Sequence, residues 1–241
     1  MTRSLSLLLS LGLVRGLLAG LVGAGAGMGA AVLVRVMLGL PAWNPDPVIA
    51  IGTITGVLSY LAGLGAFSHW VKWIWQPHGG EEHLTHQGWT RNFGLNTNHK
   101  VIGVQYLVTS LVVILGAGSL AMLFRWELVS PGRTIMGPAM YNRLMSLHGI
   151  AMLAGVLIGI SGFMNYFLPL MIGAKDMAFP RLNALSYWVI PPAGILLFAS
   201  LAAGGFDTGW TAYPPLSAKG PLGMQFMLMA FYIVGISSIL G

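Results

Sequence analysis

The chain has 241 residues, 12 of them Lys or Arg and 6 Asp or Glu, for a formal net charge of +6 with 7% charged and 56% hydrophobic residues. With a mean hydropathy of +0.77, this composition excludes a water-soluble domain and a disordered tail. Cysteine is absent, which removes disulfides, thiolate nucleophiles, Cys-ligated zinc and iron–sulfur clusters. The basic residues are scattered singly between apolar runs, a pattern of loops at a membrane surface and not of a nucleic-acid face.

Six stretches lack Asp, Glu, Lys and Arg: 16–34, 48–71, 101–124, 144–174, 182–206 and 220–241. Each is long enough to cross about 30 Å of hydrocarbon at about 1.5 Å per residue, so the expected fold is an all-α integral membrane chain of six transmembrane helices. The first stretch has no convincing small-residue cleavage site and reads as a retained helix, not a signal peptide. Pro41, Pro45 and Pro47 make the connection to the second stretch too proline-rich for a helix. Residues 76–98 form the longest polar stretch and resemble a domain junction. They divide a two-helix membrane extension (1–76) and a polar interfacial linker (77–98) from a four-helix remainder (99–241). Placing the N-terminus in the cytoplasm puts Arg3, Lys72, Arg91, Lys100, Lys175 and Arg181 inside against Arg35, Arg125, Arg133, Arg143 and Lys219 outside, a small inside excess.

Some patterns have plain readings. Gly23, Gly25, Gly27 and Gly29 imitate a dinucleotide loop but sit inside a membrane-length run, where small residues serve close helix packing. His78, His83 and His86 share a loop with Glu81 and Glu82, which lacks the order of a zinc motif and reads as a solvated interfacial loop. The intramembrane polar groups are more informative, because burial in lipid is costly. His148 begins the fourth run, either as a neutral imidazole bonded to a neighbouring helix or as an axial ligand of haem iron. Gly149, Gly155 and Gly159 beside it suit either close packing or a flat macrocycle. A hairpin returns Arg125 and His148 to the same membrane face, and a guanidinium at that depth wants an oxygen acceptor. Asn165 lies 17 residues beyond His148, about 26 Å at helical rise, and so toward the opposite face. Asp176 and Asn183 follow it, and the acid is either an ordinary loop carboxylate or the mouth of a proton path.

The blocks 99–106, with His99, Lys100, Gly103 and Tyr106; 165–183, with Asn165, Pro169, Gly173, Asp176, Pro180, Arg181 and Asn183; 208–216, with Trp210, Pro214 and Pro215; and 235–241 together resemble subunit I of the haem–copper oxygen reductases. The resemblance covers about three-fifths of the chain, from His99 onward. It implies that the last four helices are the first four core helices of a twelve-helix bundle. It implies that His148 is one axial ligand of a low-spin haem of type A, with Arg125 on the haem formyl group and Tyr141 and Trp210 near the propionates. Asp176, Asn165 and Asn183 then match the entrance and two amides of a D-type proton channel, which points to the A-type branch. Glu127 and Gly132 resemble a peripheral Ca²⁺ or Na⁺ site.

Where quinol-oxidising members carry an acid, a His and a Gln, this chain has Val129, Met140 and Arg143, so cytochrome c or a similar protein donor is implied. The implied partners are the remaining part of subunit I, a copper-A-bearing subunit II, subunit III and the lipid bilayer of a bacterial plasma membrane or equivalent respiratory membrane. The high-spin haem and copper B are expected beyond Gly241, which makes the sequence a fragment, a split-gene product or an incomplete chain, inactive alone. The function implied is part of the catalytic subunit of a proton-pumping terminal oxidase reducing O₂ to water. Competing readings are a non-enzymatic haem-binding or assembly subunit, and a transporter fragment in which His148 is structural.

Overall fold

Two antiparallel hairpins account for most of the membrane-spanning length. The computed structural model describes residues 11–75 and 88–241, so the histidine-rich loop 78–86 lies outside the described residues. All regular structure among the described residues is helical, and six helical passages are long and apolar enough to cross a membrane. In chain order the helices are α1 (Gly12–Met37), α2 (Pro45–Leu64), α3 (Ser68–Trp75), α4 (His99–Glu127), α5 (Pro138–Met171), α6 (Pro180–Trp188), α7 (Ile190–Ala202), α8 (Leu216–Lys219) and α9 (Leu222–Leu240), with a 3₁₀ turn at Trp89–Phe93. α6 and α7 together make the fifth passage.

Local chemistry sets the boundaries, and in three places moves them from the sequence expectation. Pro45 and Pro47 lie in the first turn of α2, not in a non-helical connection. First-turn N–H groups have no intrahelical acceptor, so proline costs nothing there, and Asn44 caps the turn by accepting from the Asp46 N–H at 3.2 Å. The second passage stops at Leu64 because Gly65 takes a left-handed conformation, and α3 then starts a separate short helix. The fifth passage is broken at Val189, where Pro191 and Pro192 follow within the first turn of α7 and supply no N–H to bridge the two segments.

Small residues bring the helices of each hairpin together. A Cβ on Gly23 would stand 2.1 Å from Ser59 Oγ and one on Gly27 1.9 Å from Thr55 Oγ1, so α1 and α2 tolerate nothing larger at these points. In the second hairpin, a Cβ on Gly155 would stand 2.6 Å from the Ile114 side chain. Ser110 Oγ donates to the Gly155 carbonyl at 2.7 Å, tying α4 to α5 where the backbones approach. α9 packs on α7, and the Gly223 N–H donates to the Ala203 carbonyl at 2.8 Å.

The core consists of two apolar clusters, and their positions define two ends of the bundle. One contains Leu147, Ala151, Leu197, Phe206 and Met227, beside His148. The other contains Ile102, Tyr106, Tyr187, Trp188 and Ile233 and includes Tyr60, Leu61 and Leu64 from α2. The amino-terminal hairpin therefore shares a core with the later helices. Leu95, Asn96 and Thr97, at the end of the stretch expected as a polar linker, are buried as well.

Candidate functional site

His148 stands in the first third of α5, facing α4. Its Nδ1 lies 2.8 Å from the Ala117 carbonyl oxygen. A carbonyl only accepts, so Nδ1 carries the proton and Nε2 keeps its lone pair. The imidazole also meets the Phe124 ring edge-on at 5.4 Å, and Phe124 meets Tyr141 edge-on at 5.8 Å. A hydrogen bond and an edge-on aromatic contact thus hold the orientation of this half-buried ring.

The other residues expected at this end are brought to the same face. Arg125 lies eight residues beyond Ala117 on α4, about 12 Å along the axis, and is exposed. The Gly209 N–H donates to Ser146 Oγ at 3.0 Å, which ties the loop after α7 to α5. That tie brings Trp210 over Gly149, where an added Cβ would lie 3.9 Å from the Trp210 Cβ. Trp210 itself is 64% exposed. One imidazole of fixed tautomer, a nearby guanidinium and two aromatics with free surface fit one side of a haem. Among the described residues no group of three or more His, Asp or Glu side chains forms a metal cluster.

Glu127 and Gly132 meet in the loop that follows α4. The Glu127 carboxylate accepts from the N–H groups of Thr134 at 3.0 Å, Ile135 at 2.7 Å and Met136 at 2.8 Å. Gly132 supplies a positive φ of 84° in the loop between. In this arrangement the carboxylate staples the loop 128–136. Three of the carboxylate's roughly four lone-pair sites are occupied by these amide protons, one on Oε1 and two on Oε2.

Polar groups gather at the opposite end. Asp176 is half-buried and its Oδ1 accepts from the Met177 N–H at 2.8 Å. Asn165 is buried on α5, with Nδ2 donating to the Ser161 carbonyl at 3.0 Å and Oδ1 unpartnered. Its backbone carbonyl accepts from Nδ1 of buried His99 at 3.0 Å. Asn183 on α6 is buried with neither side-chain polar atom partnered.

From Asn183 inward runs a thread that the sequence did not signal. Ser186 Oγ donates to the Asn183 carbonyl at 2.7 Å, so the Tyr106 hydroxyl, 2.9 Å from that Oγ, is the donor to it. The Ser186 carbonyl accepts from Ser237 Oγ at 2.7 Å. One turn along α4, Thr109 Oγ1 lies 3.0 Å from the Tyr187 hydroxyl. Serine, threonine and tyrosine are common in helices, and only their meeting across α4, α6 and α9 distinguishes these.

Residues 101–241 match the family described as cytochrome c and quinol oxidase polypeptide I. The chain is 47% identical over 155 residues to cytochrome c oxidase subunit 1 of Synechocystis sp., covering 64% of this chain and 28% of that protein. It is 48% identical over 163 residues to cytochrome c oxidase subunit 1 of Thermostichus vulcanus, covering 66% and 30%. With heme-copper oxidase subunit I+III of Aeropyrum pernix the identity is 40% over 159 residues, covering 64% and 20%. The matched region therefore spans less than a third of each of these curated relatives.

Proposed function

From the premise that this chain belongs to the cytochrome c and quinol oxidase polypeptide I family, we propose that it is the amino-terminal part of the catalytic subunit of an A-type, proton-pumping terminal oxidase. The oxidase takes electrons from cytochrome c or a similar protein donor and reduces O₂ to water. Its remaining subunit I helices carry the high-spin haem and copper B, and its partners include the copper-A-bearing subunit II and subunit III. This chain alone does not turn over. In a bacterial plasma membrane its N-terminus lies in the cytoplasm.

In this reading His148 would hold the iron of the low-spin haem, a haem A, through Nε2. The observation that carries it is the Nδ1–H bond to the Ala117 carbonyl, which holds the tautomer and aim that ligation needs. When bound, the haem supplies one-electron transfer. Arg125 would donate to its formyl oxygen, and Tyr141 and Trp210 would hold the propionate region. Glu127 and Gly132 serve as staple and turn of the adjoining loop.

At the other end Asp176 collects protons from the inner aqueous side, and Asn165 and Asn183 pass them inward. Unpartnered amide atoms buried in a helix bundle cost about 1–3 kcal/mol each unless water completes their bonds, so the pair supports an ordered water chain. The hydroxyls of Ser186, Tyr106, Thr109 and Tyr187 continue it.

His148→Leu in the assembled oxidase tests the reading. The six-coordinate low-spin haem signal is expected to disappear from optical and paramagnetic-resonance spectra. Retention of that signal at full occupancy refutes the assignment.

A further inference from the structure

The hydroxyl thread lies on the side of the bundle that faces the amino-terminal hairpin, and that hairpin lies outside the residues matching the family. In lipid, apolar surface alone gives helices no reason to associate, so a docked hairpin has to be held by close packing and hydrogen bonds. The α1–α2 hairpin has both, at three depths. At one end a Cβ on Gly12 would lie 3.1 Å from the Gly94 Cα. Tyr60 and Leu61 are buried in the cluster that contains Tyr106 and Tyr187. At the far end Gln225 Nε2 on α9 donates to the Asp46 carboxylate at the start of α2. The hairpin is therefore held at both ends and around Tyr60, and between these points α1, α2, α7 and α9 part around an apolar cavity bordered by Gly20, Gly52, Ile195 and Phe226.

Tyr60 is the informative residue. It is 2% exposed, yet its hydroxyl has no hydrogen-bond partner. Its ring, not its hydroxyl, is what the fold uses. The residue belongs to the same buried cluster as the two tyrosines whose hydroxyls reach Ser186 and Thr109, and its ring packs back on α1 at Gly16.

We propose that the α1–α2 hairpin is a wall of the proton path, built in cis, and that Tyr60 is a positioning residue whose ring holds Tyr106 and Tyr187 in register with Ser186 and Thr109. The inference rests on the proton-path reading above and extends it to a part of the chain that the family match does not cover.

The test uses the oxidase assembled with the full chain, comparing Tyr60→Ala with Tyr60→Phe and taking Asp176→Asn as the reference. Misplacing a positioned group by about an ångström costs up to about 100-fold in rate. Tyr60→Ala is therefore expected to slow proton uptake and turnover by about tenfold or more, with the low-spin haem spectrum unchanged, while Tyr60→Phe keeps the parent rate. Because the chain contains no cysteine, Asp46→Cys with Gln225→Cys reports docking independently of any cavity, and oxidation is expected to give an intrachain cross-link. The inference is overturned by parent proton uptake in Tyr60→Ala, by equal slowing in Tyr60→Phe, or by failure of the cross-link to form. If Asp176→Asn is slow while Tyr60→Ala is not, the hairpin inference alone fails. Parent turnover in Asp176→Asn overturns the path reading and this inference with it.

Discussion

Asn183→Leu separates stability from function with opposite signs. The residue is 3% exposed and both polar atoms of its side chain lack a partner. At about 1–3 kcal/mol for each unsatisfied group, the amide weakens its surroundings by about 2–6 kcal/mol if dry and by less when water reaches it. Leucine has a similar volume and removes that penalty, while imperfect fit in a packed interior returns about 1–3 kcal/mol. The expected balance runs from neutral to about 3 kcal/mol in favour of the variant. Thermal loss of the low-spin haem absorbance in the assembled oxidase measures it, and turnover with reduced cytochrome c, measured alongside, should fall severely. Ser186→Ala is the internal contrast, because it strips the Tyr106 hydroxyl of its acceptor and should destabilise by about 1–3 kcal/mol. The reasoning is refuted if Asn183→Leu keeps parent turnover, or if it destabilises the protein as much as Ser186→Ala does.

Three further outcomes follow from the two ends of the bundle. Arg125→Met should leave the low-spin haem bound but shift its absorption and midpoint potential, since the guanidinium acts on the macrocycle and not the iron; unchanged spectra in redox titration contradict that role. Asp176→Asn removes a titratable group with little change of shape, so turnover and proton release in vesicles should drop while haem content stays normal; undiminished proton release returns Asp176 to the status of a loop acid. Glu127→Ala should release the amides of Thr134, Ile135 and Met136 to faster hydrogen exchange without a change in bound calcium or sodium, whereas loss of a stoichiometric cation from the variant would restore the cation-site reading.

The sequence made the six passages readable because absence of charge over a bilayer's thickness is a one-dimensional property, independent of what each helix touches. His148 was readable as a special residue for a similar reason: an imidazole at membrane depth is conspicuous wherever it points. What it bonds to was not readable, since its partner is the backbone carbonyl of Ala117, and any residue has one. The same holds for Glu127, whose three partners are amides in a loop without a distinguishing side chain. The proline-rich connection misled because proline breaks a helix only past its first turn, and the position of the cap at Asn44 decides which side of that line Pro45 and Pro47 fall on. Docking of the hairpin was invisible because a glycine stripe looks the same whichever helix it meets. Tyr106, Ser186 and Tyr187 come from helices far apart in sequence and acquire meaning only when α4 and α6 bring them within hydrogen-bond reach.

The two ends of the bundle also obey opposite rules of satisfaction, and α4 links them. At the His148 end the imidazole is held by a carbonyl and an aromatic stack, which suits a ligand whose geometry sets a redox potential. At the Asp176 end the amides of Asn165 and Asn183 keep open bonding capacity, which suits groups that must exchange partners as protons pass. Ala117, whose carbonyl orients the imidazole, and Tyr106, which donates to Ser186, are eleven residues apart on α4, about 16 Å along one continuous helix. Between them Ile114 and Ser110 are locked against Gly155 and Gly159 on α5, where an added Cβ would stand 2.6 and 2.8 Å away. Rotation of α4 would therefore carry the carbonyl and the hydroxyl together. A bulky side chain at Gly155 should consequently disturb the haem spectrum and proton uptake in the same variant, although the residue belongs to neither site.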